Sequence, residues 1–211
     1  MNGVYQKSTI DYICNSIPYC EAFFDVGANI GVLCLEVAIA RPDIAVYAFE
    51  ASPSVFSYLK KNKEQNNTKN LYILNLAIHD INNIELPFYS TLNHNGKGSF
   101  SPVFTDIPEL VRTIRLDEFI NNNNILPNLI KVDIEGCEIL VFKSLSNFKN
   151  LSKTTLLFEF VDWAEDLAKF EKAAAQAYLL EQGFQLMSLS TNNPILKKII
   201  IGNEMIIATK N

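Results

Sequence analysis

Asp25, Glu50, Asp133, Glu135 and Glu159 stand at the ends of apolar β-type runs, in "FFDVGANIG", "YAFEAS", "LIKVDIEG" and "LLFEF". A carboxylate in such a place can pair with a ligand's ammonium, accept its hydroxyls or take a proton from it. The first run leads into a turn, "DVGANIG", with Gly27, Asn29 and Gly31 ahead of a long apolar stretch. Gly27 permits a sharp turn or close approach to a ligand, and Gly31 permits the helix to pack tightly on the strand. A dinucleotide turn reads G-x-G-x-x-G, its middle glycine admitting a pyrophosphate. Asn29 fills that place, and Asp25 beside it repels phosphate while attracting an ammonium group. Glu50, a little over twenty residues on, has the spacing of one βαβ step from the glycine turn, where an acid accepts both ribose hydroxyls. A ligand with an amino-acid end and an adenosine end satisfies both acids, and S-adenosylmethionine has that form.

These residues need a sheet to bring them together, and the chain alternates accordingly. "AFFDV", "IAVYAFE", "LYILNLA", "NLIKVDI" and "TTLLFEF" read as strands. Between them, "GVLCLEVAIA" reads as a buried helix, and a second helix has Ser52 as N-cap, Pro53 as its first residue and Val55, Phe56 and Leu59 on its buried face. "EGCEILVFKSL" predicts a helix begun by Glu135 and Glu138, and "EDLAKFEKAAAQAYLLEQ" predicts one helix stopped by Gly183. "FQLMSLS" and "NEMIIATK" follow without a helix between them and should pair antiparallel. This order implies α/β architecture: a doubly wound, mostly parallel sheet with helices on both faces. One domain over 1–211 is expected, with a helical extension at 1–20 and an inserted loop or lid at 90–115. Within that insert, Asn93–Ser99 is a polar, glycine-rich candidate for acceptor binding, and it carries His94. Asp162 and Trp163 follow the fifth strand near the same mouth.

Composition narrows the partners. With 18 Lys and Arg against 23 Asp and Glu, the net charge is −5, so no nucleic-acid partner is expected. Lys60, Lys61 and Lys63 read as a solvated helix face. No apolar run approaches the ~18 residues of a membrane span, and the N-terminal residues lack a basic stretch followed by an apolar core. A cytoplasmic protein without a membrane partner is therefore expected. Cys14, Cys20, Cys34 and Cys137 contain no CxxC pair, and reduced thiols with no metal site are expected.

The segments "FFDVGANIG", "YAFEASPSVFSYLKKN", "LNLAIHD", "TIRLDEFI", "LIKVDIEGCEILVFKSL" and "LLFEF" resemble, in that order, the FkbM family of S-adenosylmethionine-dependent methyltransferases. The resemblance implies a class I methyltransferase (Rossmann-like) fold, a seven-stranded sheet with its last strand antiparallel. It implies cofactor contacts at Asp25, Gly27, Ala28, Asn29, Gly31 and Asp133, a ribose contact at Glu50, and adenine packing near Ala51, Ser52 and Ala77. It also implies a hydroxylated small-molecule acceptor, a sugar or natural product. Position 51, more often proline in the family, is Ala51, and Phe160, Val161 and Asp162 follow Glu159 where many members carry a histidine.

Methyl transfer to a hydroxyl needs alignment and a base. Asp133, Glu135 and Glu159 are the candidate catalytic groups. Asp133 and Glu159 holding a divalent cation is the lesser reading, since two carboxylates make a poor cage. Competing functions are a binding module that keeps the pocket without turnover, and an NAD-linked oxidoreductase.

Overall fold

The computed structural model describes residues 7–18, 21–90, 98–100, 102, 105–145 and 153–210. Its main sheet has the strand order β10-β11-β9-β8-β1-β2-β3. The strands are β1 (Ala22–Val26), β2 (Ala45–Phe49), β3 (Leu71–Leu74), β8 (Leu129–Val132), β9 (Thr155–Val161), β10 (Gln185–Ser188) and β11 (Asn203–Thr209). All neighbours pair parallel except β11, which runs antiparallel to both β9 and β10. The expected doubly wound sheet and the antiparallel last strand are both present.

Both faces are covered because side chains alternate across a strand. Phe23 faces the side packed by α1 (Lys7–Ser16) and α2 (Val32–Ala40), among Ile13, Val37 and Val46. Phe24 faces the other side, where it meets Phe49 and Phe119 edge to face at 5.6 and 5.7 Å. Phe119 belongs to α4 (Leu116–Asn123), and α5 (Glu138–Lys143) and α7 (Ala174–Glu181) complete that layer. The helix opened by Pro53 is α3 (Pro53–Asn66), and Ser52 caps it, its hydroxyl accepting the Val55 N–H at 3.2 Å.

Three local expectations are corrected. The run 71–77 is not one strand. It leaves the sheet after Leu74, where the Asn75 side-chain amide donates to the carbonyls of Glu50 and Ala51, both at 2.9 Å. The chain then enters a second sheet, ordered β4-β7-β5-β6, made of β4 (Ala77–Ile78), β5 (Glu85–Ser90), β6 (Gly98–Ser99) and β7 (Glu109–Ile114). The single helix expected over 165–182 is two, α6 (Asp162–Leu167) and α7. Between them the backbone turns left-handed at Lys169 and Ala173, and the buried Glu165 carboxylate accepts the N–H groups of Ala173, Ala175 and Ala174. A carboxylate there satisfies the donors that an uncapped first turn leaves open. Finally, Glu135 lies in the loop before α5, with φ 53°, and not in the helix.

Removing the Glu165 cap strands buried donors, so Glu165→Ala should lower stability by about 1–3 kcal/mol. Urea unfolding monitored by circular dichroism checks this, and a loss indistinguishable from that of an exposed surface Glu→Ala change would contradict it.

Candidate active site

Period-two alternation collects the acids. Asp25 lies opposite Lys131 and Ala48 in the parallel register, and Lys131 lies opposite Leu157. Partners in register share a face, so continuing two residues along β2, β8 and β9 adds Glu50, Asp133 and Glu159 to that face. They crowd the carboxyl ends of the strands, where ligands bind in open α/β sheets.

A cavity of about 450 Å³ opens there. Gly27, Ala28, Asn29, Glu50, Ala51, Ala77, Asp133, Glu135 and Glu159 line it, so the sheet brings these candidates together. Asp25, Gly31 and Ser52 do not line it. Asp25 lies wholly buried beneath, Gly31 lies against Leu59 of α3, and Ser52 bonds Glu109 of the second sheet. Leu76, Ile78, Phe88, Gly98 and Phe100 close one end, making an apolar wall from the second sheet and its flanks.

Gly27 shows how tightly the turn is built. Its φ is +81°, and a Cβ there would lie 2.0 Å from the Asp133 carbonyl oxygen, so only glycine fits. The N–H groups of Gly27 and Ala28 both donate to the Phe49 carbonyl at 3.0 Å, which fixes the turn against the tip of β2. Asn29 takes the left-handed conformation that asparagine tolerates, φ 53°. Its N–H donates to Glu50 Oε2 at 2.8 Å, and the Ser52 N–H donates to Oε1 at 2.9 Å. A carboxylate offers about four lone-pair sites, so Glu50 retains capacity toward the cavity. Burial pushes its carboxyl up to about 7 against these two donors.

Lys131 is the residue that sequence reasoning passed over. Its side chain is buried among carboxylates, 3.2 Å from Asp25 Oδ1 and 3.3 Å from Asp133 Oδ2. Burial alone would lower its pKa, but Asp133 and Asp25 hold it well above the usual lysine range. Burial raises the Asp25 carboxyl, with Lys131 opposing. The signal was present in "LIKVDI": a lysine in a central strand buried on both faces requires a counter-ion, and the register supplies Asp25. Across the cavity, burial raises the Glu159 carboxyl to about 8, reinforced by the charge and hydrogen bond of Asp133. Asp133 and Glu159 therefore titrate as a coupled pair.

Glu138, expected only to complement the α5 dipole, is a buried loop clamp. It accepts the N–H groups of Ile134 and Gly136 at 3.0 and 3.2 Å, and burial raises it to about 8. Gly136, φ +92°, lies so close to α6 that a Cβ would stand 2.4 Å from the Ala164 backbone. Asp162 accepts the Trp163 N–H at the start of α6. His94 and residues 93–97 lie outside the described residues, as does Cys20. Among the described residues, no group of three or more His, Cys, Asp or Glu side chains is placed to hold a metal ion.

Residues 25–186 match the family described as "Methyltransferase FkbM domain". The hexuronic acid methyltransferase AglP of Haloferax volcanii is 29% identical over 131 residues, which span 60% of this chain and 51% of that protein. This chain thus aligns with about half the length of that relative. The precorrin-6y C5,15-methyltransferase of Geobacter metallireducens shares the fold with TM-score 0.57 at 11% identity, over 100% of this chain and 93% of that one. A Streptococcus mutans protein in complex with SAH shares it with TM-score 0.55 at 13% identity, over 100% and 99%.

Replacing Lys131 by Met leaves Asp25 buried without its cation, which should cost about 3–5 kcal/mol at neutral pH. The folded pKa of Asp25, already raised by burial with Lys131 opposing, would then rise further above its unfolded value. The added cost therefore vanishes below the unfolded carboxylate range and grows as pH rises. Urea unfolding of Lys131→Met beside the parent chain at pH 5 and pH 8 should show the smaller deficit at pH 5. An equal deficit at both would refute the pairing.

Proposed function

The chain belongs to the FkbM methyltransferase family, and from that premise we propose that it transfers a methyl group from S-adenosylmethionine to a hydroxyl oxygen of a sugar or natural-product acceptor. The observation that carries the reading is the polarity of the crevice. One end is apolar around a strand-tip acid, and the other is acidic around a shared proton. The residues fit that donor. Glu50 has lone pairs left for ribose hydroxyls. Ala51, Ala77, Ile78, Phe88 and Phe100 offer a slot for an adenine ring. Gly27 permits backbone approach, and Glu135 offers a carboxylate to an ammonium group. When bound, the donor supplies an electrophilic methyl group on a sulfonium.

The protein's part is alignment and proton removal. In this reading Asp25 does not touch the donor but acts through Lys131, keeping Asp133 ionised. Asp133 and Glu159 form the basic unit: an acceptor hydroxyl gives up its proton once the pair has lost its own. Glu135, in its left-handed loop, faces the same cavity. The relative from Haloferax volcanii is named for a sugar acid, which supports a glycan-type acceptor. The acidic balance of the chain favours a small acceptor over a nucleic acid.

Calorimetric titration with S-adenosylmethionine and S-adenosylhomocysteine should show binding, and Glu50→Gln should weaken it by about 10–100-fold, the worth of hydrogen bonds to a charged acceptor. Asp133→Asn should retain donor binding within about tenfold while turnover of a hydroxylated acceptor falls by about 10²–10⁴-fold. Undiminished turnover in that variant would remove the assigned base.

The pH profile supplies a second test. kcat/KM for the donor reports the free enzyme, so it should rise with pH through about 8 as the Asp133–Glu159 pair loses its proton. Glu159→Gln removes the partner that retains the proton, and the rising limb should move to lower pH. A limb unmoved in that variant would exclude the pair as the titrating unit.

A further inference from the structure

Residues 195–201, "ILKKIII", connect β10 to β11. They leave the protein at the carboxyl end of β9, beside the crevice mouth: Asn203 pairs with Val161, and Met205 with Glu159. The loop is firmly held. Gln176, wholly buried on α7, donates to the Ile199 carbonyl and accepts its N–H, both at 2.9 Å. Asp162 exchanges two further bonds with Gly202, its N–H donating to the Gly202 carbonyl at 3.0 Å and its Oδ2 accepting the Gly202 N–H at 2.8 Å. Ile195 and Ile199 turn inward against the core. Leu196 and Ile201 nevertheless stand 92% and 78% exposed, with Ile200 half exposed and Lys197 and Lys198 in solvent. α6 starts at the same Asp162 and adds the exposed Trp163 and Leu167.

Single exposed aliphatics are ordinary. Several on one pinned loop, with two lysines and a tryptophan on the helix it is tied to, are not. Folding invests hydrogen bonds in holding this surface open. Its chemistry is aliphatic side chains with adjacent cations and an interfacial aromatic, which matches a surface that is apolar below and anionic above. The chain as a whole carries excess negative charge, so attraction to such a surface has to come from a local patch. The acids on and beside these elements are engaged with the protein: Asp162 as above, Glu204 with the Ser190 hydroxyl at 2.9 Å, and the half-exposed Asp166 of α6 with Lys172 at 3.2 Å.

We propose that residues 195–201 and α6 dock the protein on an anionic lipid bilayer, with the crevice mouth held beside it. No described helix is long and apolar enough to cross a membrane. The sequence expectation of no membrane partner rested on the lack of a spanning run, and surface docking needs none. Trp163 is the sole tryptophan, so its emission reports on this patch alone.

The full chain is titrated with phosphatidylcholine vesicles with and without phosphatidylglycerol, reading Trp163 emission and co-sedimentation. Anionic vesicles should shift the emission to the blue and sediment the protein, and added salt should weaken both. K197Q/K198Q should weaken partitioning by about 25-fold, at about fivefold per lysine near the surface, and L196S/I201S should abolish the blue shift. Donor affinity by calorimetry should be unchanged in both variants, which separates this result from the fate of the proposed reaction. No binding to anionic vesicles, binding that both variants retain, or a patch that instead dimerises the chain in light scattering would each overturn the proposal.

Discussion

A lysine ammonium inside a central β-strand sets the terms for this fold. Taking it out of water is tolerable only with counter-charges in contact, because the desolvation cost is several kcal/mol per ion. Asp25 and Asp133 supply them at 3.2 and 3.3 Å. One partner lies on the neighbouring strand in register and the other two residues along the same strand, so the pairing of β1 with β8 cannot slip. A shift of one residue would turn Lys131 to the opposite face, among Phe24, Val132 and Phe158. The ion cluster is therefore weak evidence for stability and strong evidence for register.

The same cluster sets the protonation of the crevice. Lys131 lies between two carboxylates, so the excess negative charge lies toward Asp133 and Glu159, and one proton neutralises it. Lys131 opposes the rise at Glu159, and the wholly buried Asp25 is a counter-charge that keeps Lys131 protonated there. At the other end of the crevice the second sheet performs the complementary task. By leaving the main sheet at Asn75, the chain brings Ala77, Phe88 and Phe100 over the tip of β2, and apolar walls replace charge.

Much of this could be read from the sequence. A mostly parallel, doubly wound sheet follows from alternating strand and helix patterns, and antiparallel closure follows from two strands with no helix between them. The period-two rule carries Glu50, Asp133 and Glu159 to one face without coordinates. Lys131 was equally legible by that rule, but attention to acids hid the cation among them. Asp25 could be placed at the right strand end, while its burial could not be seen, since a strand tip reads alike whether or not a lysine covers it. The strands in "NIELPFYS" and "VRTIRLDEFI" are legible as β5 and β7, but their assembly into a second sheet is not, because β4 and β6 are two residues each, too short for any periodicity. The break between α6 and α7 was missed because no glycine or proline marks it. A side chain eight residues upstream, Glu165, makes the cap.

The two halves of the crevice are built under different rules. On the β1–β2 side the fit is backbone against backbone: Gly27 against the Asp133 carbonyl, and Ala28 and Gly27 bonded to Phe49. Substitution there has nowhere to go. On the β9 side the crevice is lined by the side chains of Asp133, Glu135 and Glu159, and α6 starts just beyond β9, joined to the pinned loop through Asp162 and Gly202. Gly136 connects the halves, since its close approach to Ala164 seats α6 on the loop that carries Asp133 and Glu135. A change in α6 or in residues 195–201 can therefore alter what approaches the mouth, while the carboxylates stay where β8 and β9 put them. In the proposed reaction, donor recognition falls to the sheet, and acceptor choice falls to the surface elements packed on its edge.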